Sequence, residues 1–199
     1  TALFACVGDT ERELNVLNNA IVMECEQGNT EEAAAAAARL AERSYGNDDM
    51  NPSWAETIAR ALMAVGDLAG AQTALGQGFA LLDVQGDTQA AAPAELMLTE
   101  AEVLLAQARL DDAEDALKRC LAVCRARNLA GLRVEALRVH AEIKAAKGEF
   151  QSAYEIHRAF HEEGVALRNR QDEAAARTRH ALFETEEARR EAQRFWHQA

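Results

Sequence analysis

An all-α fold is predicted by two observations. Ala, Leu, Glu, Arg and Gln dominate the 199 residues, Pro occurs twice and aromatic residues make up 5%, so the residue types that favour strands are sparse. A segment pattern also recurs about every 40 residues, the mark of stacked supersecondary units. The segments are QGNTEEAAAAAARL, VGDLAGAQTALGQG, QARLDDAEDALKRC and KGEFQSAYEIHRAF. Each holds a small residue (Gly28, Gly66, Ala108, Gly148), an Ala five positions on (Ala33, Ala71, Ala113, Ala153), and Ala37, Leu75, Leu117 or His157 four positions later. The Ala spacings are 71−33=38, 113−71=42 and 153−113=40.

A small residue permits a tight turn, and Ala at a crossing lets two helix axes approach closely. Each unit therefore reads as helix, turn, helix, with Ile21, Ala59, Ala101 and Ala141 on the first helix, twelve positions before the Ala of the second.

Taken in order, the first helix is expected over about 10 to 27, opened by a Thr10 and Glu13 capping box, with residues 1 to 8 as the tail of an earlier helix. The second spans about 30 to 45. The third, about 52 to 65, starts where Asn51 or Ser53 flanks Pro52, and a fourth follows over about 68 to 85. Pro93 opens a fifth at about 93 to 107, followed by helices at about 110 to 127, 130 to 147 and 150 onward.

These segments resemble tetratricopeptide repeats, the 34-residue helix-turn-helix units that stack into a superhelix. The likeness covers about residues 10 to 160, with a period near 40 that implies longer helices and with the consensus aromatics mostly replaced by Leu or Ala. It implies a tetratricopeptide-like repeat domain over residues 1 to 160. It also implies a concave groove, lined by the first helix of each repeat, that takes a protein or peptide. Projecting that face places Asn15, Asn18 and Val22 in the groove, then Glu56, Arg60 and Met63, then Glu95, Leu98, Glu102 and Leu105, then Glu135, Arg138 and Glu142. The Lys, Asn and Arg clamp of the chaperone-binding members is not reproduced.

The formal net charge of −12, spread along the chain, argues against a nucleic-acid partner, because phosphate contacts need a basic stripe. No apolar run approaches the about 20 residues that cross a bilayer, so no membrane span is expected and the chain reads as cytoplasmic. It begins on Thr1 without Met, and an upstream segment is expected. Cys6, Cys25, Cys120 and Cys124 lack the spacing of a disulfide scaffold and read as reduced thiols, the last two as small buried side chains.

No cofactor or metal is expected. His157 and His161 lie four apart beside Glu162, but His157 holds the packing position of Leu75 and Leu117 and reads as a packed or capping imidazole. Tyr45, Trp54 and Tyr154 read as core residues near helix ends. No phosphate loop and no nucleophile elbow appears, so no catalysis is expected from these residues.

The last forty residues keep the helical pattern. A seam at Gln171, Ala174, Thr178, Ala181, Thr185, Ala188, Ala192 and Phe195 alternates spacings of three and four, the coiled-coil rhythm. It is poor in Leu and Ile, so two copies are expected to form a close but weak parallel homodimer through residues 161 to 199. Gly164 costs about 1 kcal/mol against Ala inside a helix and marks a hinge or the end of the last repeat helix.

The stretch YEIHRAFHEEGVALRNRQ, followed by FETEEARREAQ, is similar to the junction at which a tetratricopeptide sensor of bacterial signalling proteins feeds a diguanylate cyclase. Some sensor histidine kinases share such a junction. The resemblance implies a sensor and linker whose output, a GGDEF domain introduced by Asp-Pro-Leu-Thr-Gly, lies beyond Ala199, with Phe195 and Trp196 packing at the junction or across the dimer. The alternative is a free-standing scaffold whose last helix folds back to cap the repeats.

Overall fold

The computed structural model describes residues 2–44, 51–85 and 91–198, with side-chain surroundings for 12–44, 51–83, 91–183, 185–187 and 189–190. The described residues are all-helical. The eight helices are α1 (Ala2–Gln27), α2 (Thr30–Ser44), α3 (Pro52–Ala64), α4 (Leu68–Gln85), α5 (Ala92–Ala106), α6 (Leu110–Ala126), α7 (Ala130–Ala146) and α8 (Phe150–Gln198).

The bounds follow local chemistry. Asn51 caps α3, its Oδ1 accepting from the Ser53 amide at 2.9 Å, with Pro52 in the first turn where no N–H is needed. Asp67 does the same for α4 through the Gly70 amide, also at 2.9 Å. The capping box expected at Thr10 does not start a helix. The run Ala2 to Val7 is made of good formers and apolar residues, so α1 propagates through Thr10 back to Ala2.

Consecutive helices pair as hairpins: α1 with α2, α3 with α4, α5 with α6 and α7 with α8. Hairpins stack through α2 on α3, α4 on α5 and α6 on α7. The odd helices also touch in series, α1 to α3 to α5 to α7, whereas among the described residues α2, α4, α6 and α8 do not touch one another. The odd helices thus form a continuous row.

The positions read from the repeat are the core. Ala33, Ala71 and Ala113 are fully buried and Ala153 nearly so, and Ile21, Ala59 and Ala101 opposite them are fully buried as well. Two apolar clusters result, with α5 serving both. Leu96 and Val103 complete the cluster built by α1 to α4, while Ala94, Leu98, Ala101 and Leu104 belong to the cluster shared with α6 and α7. A helix apolar on two faces has to lie between layers. Gly78 permits the closest approach, since a Cβ there would stand 2.7 Å from Leu96 Cδ2 and 3.0 Å from Ala55 Cβ.

Three packing expectations fail. His157 is exposed and lies against His161, with Nε2 to Nε2 at 3.1 Å, and Tyr154 is 64% exposed. Both point to the side of α8 where, in earlier hairpins, the next helix packs. Leu98, expected in the groove, is 6% exposed in the second cluster. Trp54 is in the core as expected, and Tyr45 lies outside the described residues.

Candidate functional site

The odd helices carry the predicted groove residues, and the structure uses four of them, Asn15, Glu56, Glu102 and Arg138, in ties between neighbouring hairpins. Asn15 of α1 accepts from the Trp54 indole of α3 at 3.3 Å. Glu56 of α3 accepts from the Thr99 hydroxyl of α5 at 2.8 Å and has Arg60 at 3.6 Å. Arg138 of α7 donates to Glu102 of α5 at 2.7 Å, and to Glu135 and Glu142 on its own helix at 3.2 and 2.8 Å. All three guanidinium nitrogens are engaged, the arrangement in which Arg holds a fixed geometry.

Electrostatics follow from this packing. Burial pushes the Glu56 carboxyl above its ordinary range, with Arg60 and the Thr99 hydrogen bond opposing. Glu95 is raised for the same first reason, again opposed by Arg60. For Arg138 burial works downward, but the hydrogen bonds it donates to Glu135, Glu142 and Glu102 outweigh it and raise its pKa. Asn18 is half-buried, and its Oδ1 meets no hydrogen-bond partner among the described residues. A concavity of about 360 Å³ between α1 and α3 is lined by Val22, Cys25, Glu26, Glu56, Thr57 and Arg60. It places Val22, Glu56 and Arg60 of the predicted set in one depression.

The second part of the site is α8. Its first half packs on α7. Gly164 faces Val134, whose Cγ1 would lie 3.7 Å from an added Cβ, and Phe160 and Leu167 line the same α7-facing concavity. Beyond Leu167 every described residue through 190 is exposed. Helix α8 passes residue 160 and Gly164 without interruption, so Gly164 is not the end of a repeat helix. Nor does the helix fold back among the described residues, contrary to the capping alternative. Ala174 and Ala181 are exposed on the seam, while the side chains of Ala188 and Phe195, with Trp196, lie outside the described residues.

No family model, curated protein or solved structure matches the chain.

Among the described residues no three His, Cys, Asp or Glu side chains converge on a point where a metal ion could sit, and no helix is long and apolar enough to cross a membrane. Burial raises the Cys120 thiol to about 12, and its Sγ lies 3.3 Å from the Ala94 carbonyl oxygen and 4.0 Å from Cys124 Sγ. Such thiols are inert packing groups.

Sequence reasoning did not pair the groove residues with their partners, and it missed Thr99 and Glu114 altogether. Thr99 stands nine before Ala108 as Thr57 stands nine before Gly66, a register that marks the position but does not give Glu56 as its partner. Glu114 of α6 clasps Lys144 of α7 and Lys147 just past its end at 3.0 and 2.5 Å, a contact signalled by two Lys three apart at that end.

Proposed function

We propose that the chain is a regulatory and protein-interaction region, a tetratricopeptide-like superhelix that takes a protein segment along the odd helices and passes the event through α8. The observation that carries this reading is the continuity of one face of α8. The stripe Phe160, Gly164 and Leu167, seated on α7, runs on with the same alternation of four and three into Gln171, Ala174, Thr178 and Ala181, which are exposed. A displacement of α7 would turn or shift that exposed seam.

The seam suits a weak, close pairing of two copies. Thr178 and Thr185 donate back to the Ala174 and Ala181 carbonyls at 3.0 and 2.7 Å, so their hydroxyls are satisfied within the helix and their methyl groups are left to meet a partner. Small side chains allow close axes but little apolar burial. Among the predicted groove residues the carboxylates of Glu56, Glu95, Glu102, Glu135 and Glu142 outnumber the cations Arg60 and Arg138, so a basic segment is the favoured occupant.

The junction sequence supports a diguanylate cyclase as the output, in which two GTP-bearing catalytic domains must meet to form cyclic di-GMP. Seam geometry would then set the rate. The test begins with Ala174→Leu combined with Ala181→Leu. Sedimentation should show self-association strengthened at least tenfold, and no gain would remove the parallel seam. Reading the coding region past Ala199 tests the output, since a stop codon there would leave an adaptor in place of a sensor.

A further inference from the structure

We propose that His157 and His161 form a chelating pair for a divalent transition-metal ion, copper(II) most tightly, with water in the remaining coordination positions.

The pair breaks the register of the even helices. Positions nine and thirteen after each turn residue are Ala37 and Ala41 in α2, Leu75 and Phe79 in α4, and Leu117 and Leu121 in α6. All six lie in or against the apolar core. In α8 both places are taken by imidazoles, and both are exposed. A single such change would be a surface histidine. Two together, four residues apart, put two nitrogen ligands on one side of the helix.

Their spacing matches a metal chelate. Nε2 of His161 lies 3.1 Å from Nε2 of His157, with the ring planes at 87°. An ion about 2.0 to 2.1 Å from each nitrogen would hold the two at an angle of about 100°. That value falls between the about 90° of octahedral or square-planar sites and the about 109° of tetrahedral ones, so the pair can serve as neighbouring ligands with no change in the backbone. Phe160 braces both rings, its centroid 5.8 Å from that of His157 and 5.1 Å from that of His161.

No other group competes for the pair. Among the described residues neither imidazole bonds to a carboxylate or a carbonyl, and the two Nε2 atoms meet only each other. The carboxylates around them are engaged: Glu162 faces Arg158 at 3.4 Å, while Glu135 and Glu142 on α7 are held by Arg138. Metal binding takes both rings as neutral Nδ1–H tautomers, so two nitrogen–metal bonds replace the hydrogen bond between the Nε2 atoms. Both ligands come from one helix, so the chelate forms whatever else packs nearby. Bound there, the ion ties residues 157 and 161 across one turn of α8, just before Gly164.

The experiment titrates copper(II) chloride alone into the full chain by calorimetry, with electron paramagnetic resonance to count the bound nitrogens. The tightest site should take one ion per chain on two imidazole nitrogens, and zinc(II) should compete more weakly. Loss of an outer-shell partner alone costs a metal site about 10- to 100-fold, so His157→Ala and His161→Ala should each weaken binding at least that much. His140→Ala and His180→Ala should leave it unchanged. Adding Ala166→His to His161→Ala restores the number of histidines but not the binding, since nine residues at about 100° each put that ring on the opposite side of the helix. Residues 157, 161 and 166 are exposed, so circular dichroism should show folding unchanged. A loss of less than about tenfold in either His157→Ala or His161→Ala overturns the proposal, as does recovery by Ala166→His. A parent that binds no copper(II) overturns it too, and so does loss on His140→Ala or His180→Ala, which would put the ion elsewhere.

Discussion

At Gly28, Gly66, Ala108, Asn128 and Gly148 the same closure recurs. The turn residue adopts a left-handed φ between 55 and 83°, and the next amide reaches back to a carbonyl five residues earlier, as Asp67 does to Leu62 at 2.9 Å. The following residue already caps the next helix, so its carbonyl accepts from Ala33, Ala71, Ala113, Arg133 or Ala153. This explains why a small residue and an Ala stand five apart: one closes the turn and the other opens the crossing. Only Gly adopts the left-handed region without steric cost, and an added Cβ at Gly66 meets nothing within 4 Å, so backbone strain can be isolated there. Gly66→Ala should lower stability by about 1 kcal/mol in urea unfolding, and Ala108→Gly should raise it by up to about 1 kcal/mol. Equal stability in both variants would mean that the turns relax out of this conformation.

Between elements, the tie of α6 to α7 has the clearest electrostatic signature. Glu114 is held down to about 2, first by the hydrogen bond from Lys147, against burial that would raise it, with Lys144 assisting. A carboxylate with a depressed native pKa stabilises the fold fully above its unfolded value of about 4.5, and that contribution is lost as pH falls toward 2. Glu114→Gln should therefore cost about 1 to 2 kcal/mol at pH 7, a figure reduced for solvent screening around the lysines, and the gap from the parent should narrow as pH drops from 5 to 3. A gap that holds constant with pH would show that shape, not charge, fixes this crossing. Elements were legible in the sequence because turn residues and buried Ala recur in register. Their pairings were less so. Asn15 with Trp54 and Glu56 with Thr99 join residues about 40 apart, a separation that periodicity brackets but cannot resolve into hydrogen bonds. His157 and Tyr154 were misread because the repeat position alone does not say whether a further helix arrives to cover it.

For the molecule as a whole, α8 is the element that belongs both to the body and to the solvent, and Gly164 stands three residues before the last packed position, Leu167. That the helix runs on beyond was readable from the spacing of its seam. That the seam continues the α7-facing stripe was not, because the sequence does not show where α7 stops supporting it. If the body moves the seam as a rod, the helix must remain intact across Gly164. Gly in a helix interior costs about 1 kcal/mol against Ala, and an added Cβ would make an ordinary contact with Val134 Cγ1 at 3.7 Å. Gly164→Ala should therefore raise stability by about 1 kcal/mol and slow amide exchange on residues either side of it. If Gly164 serves as a hinge, the same change should blunt the response of the intact protein to its partner, because a stiffer helix bends less at the exit from the body. A variant with no gain in stability would show that the helix is broken at this point in solution, and transmission through an unbroken rod would be lost with it.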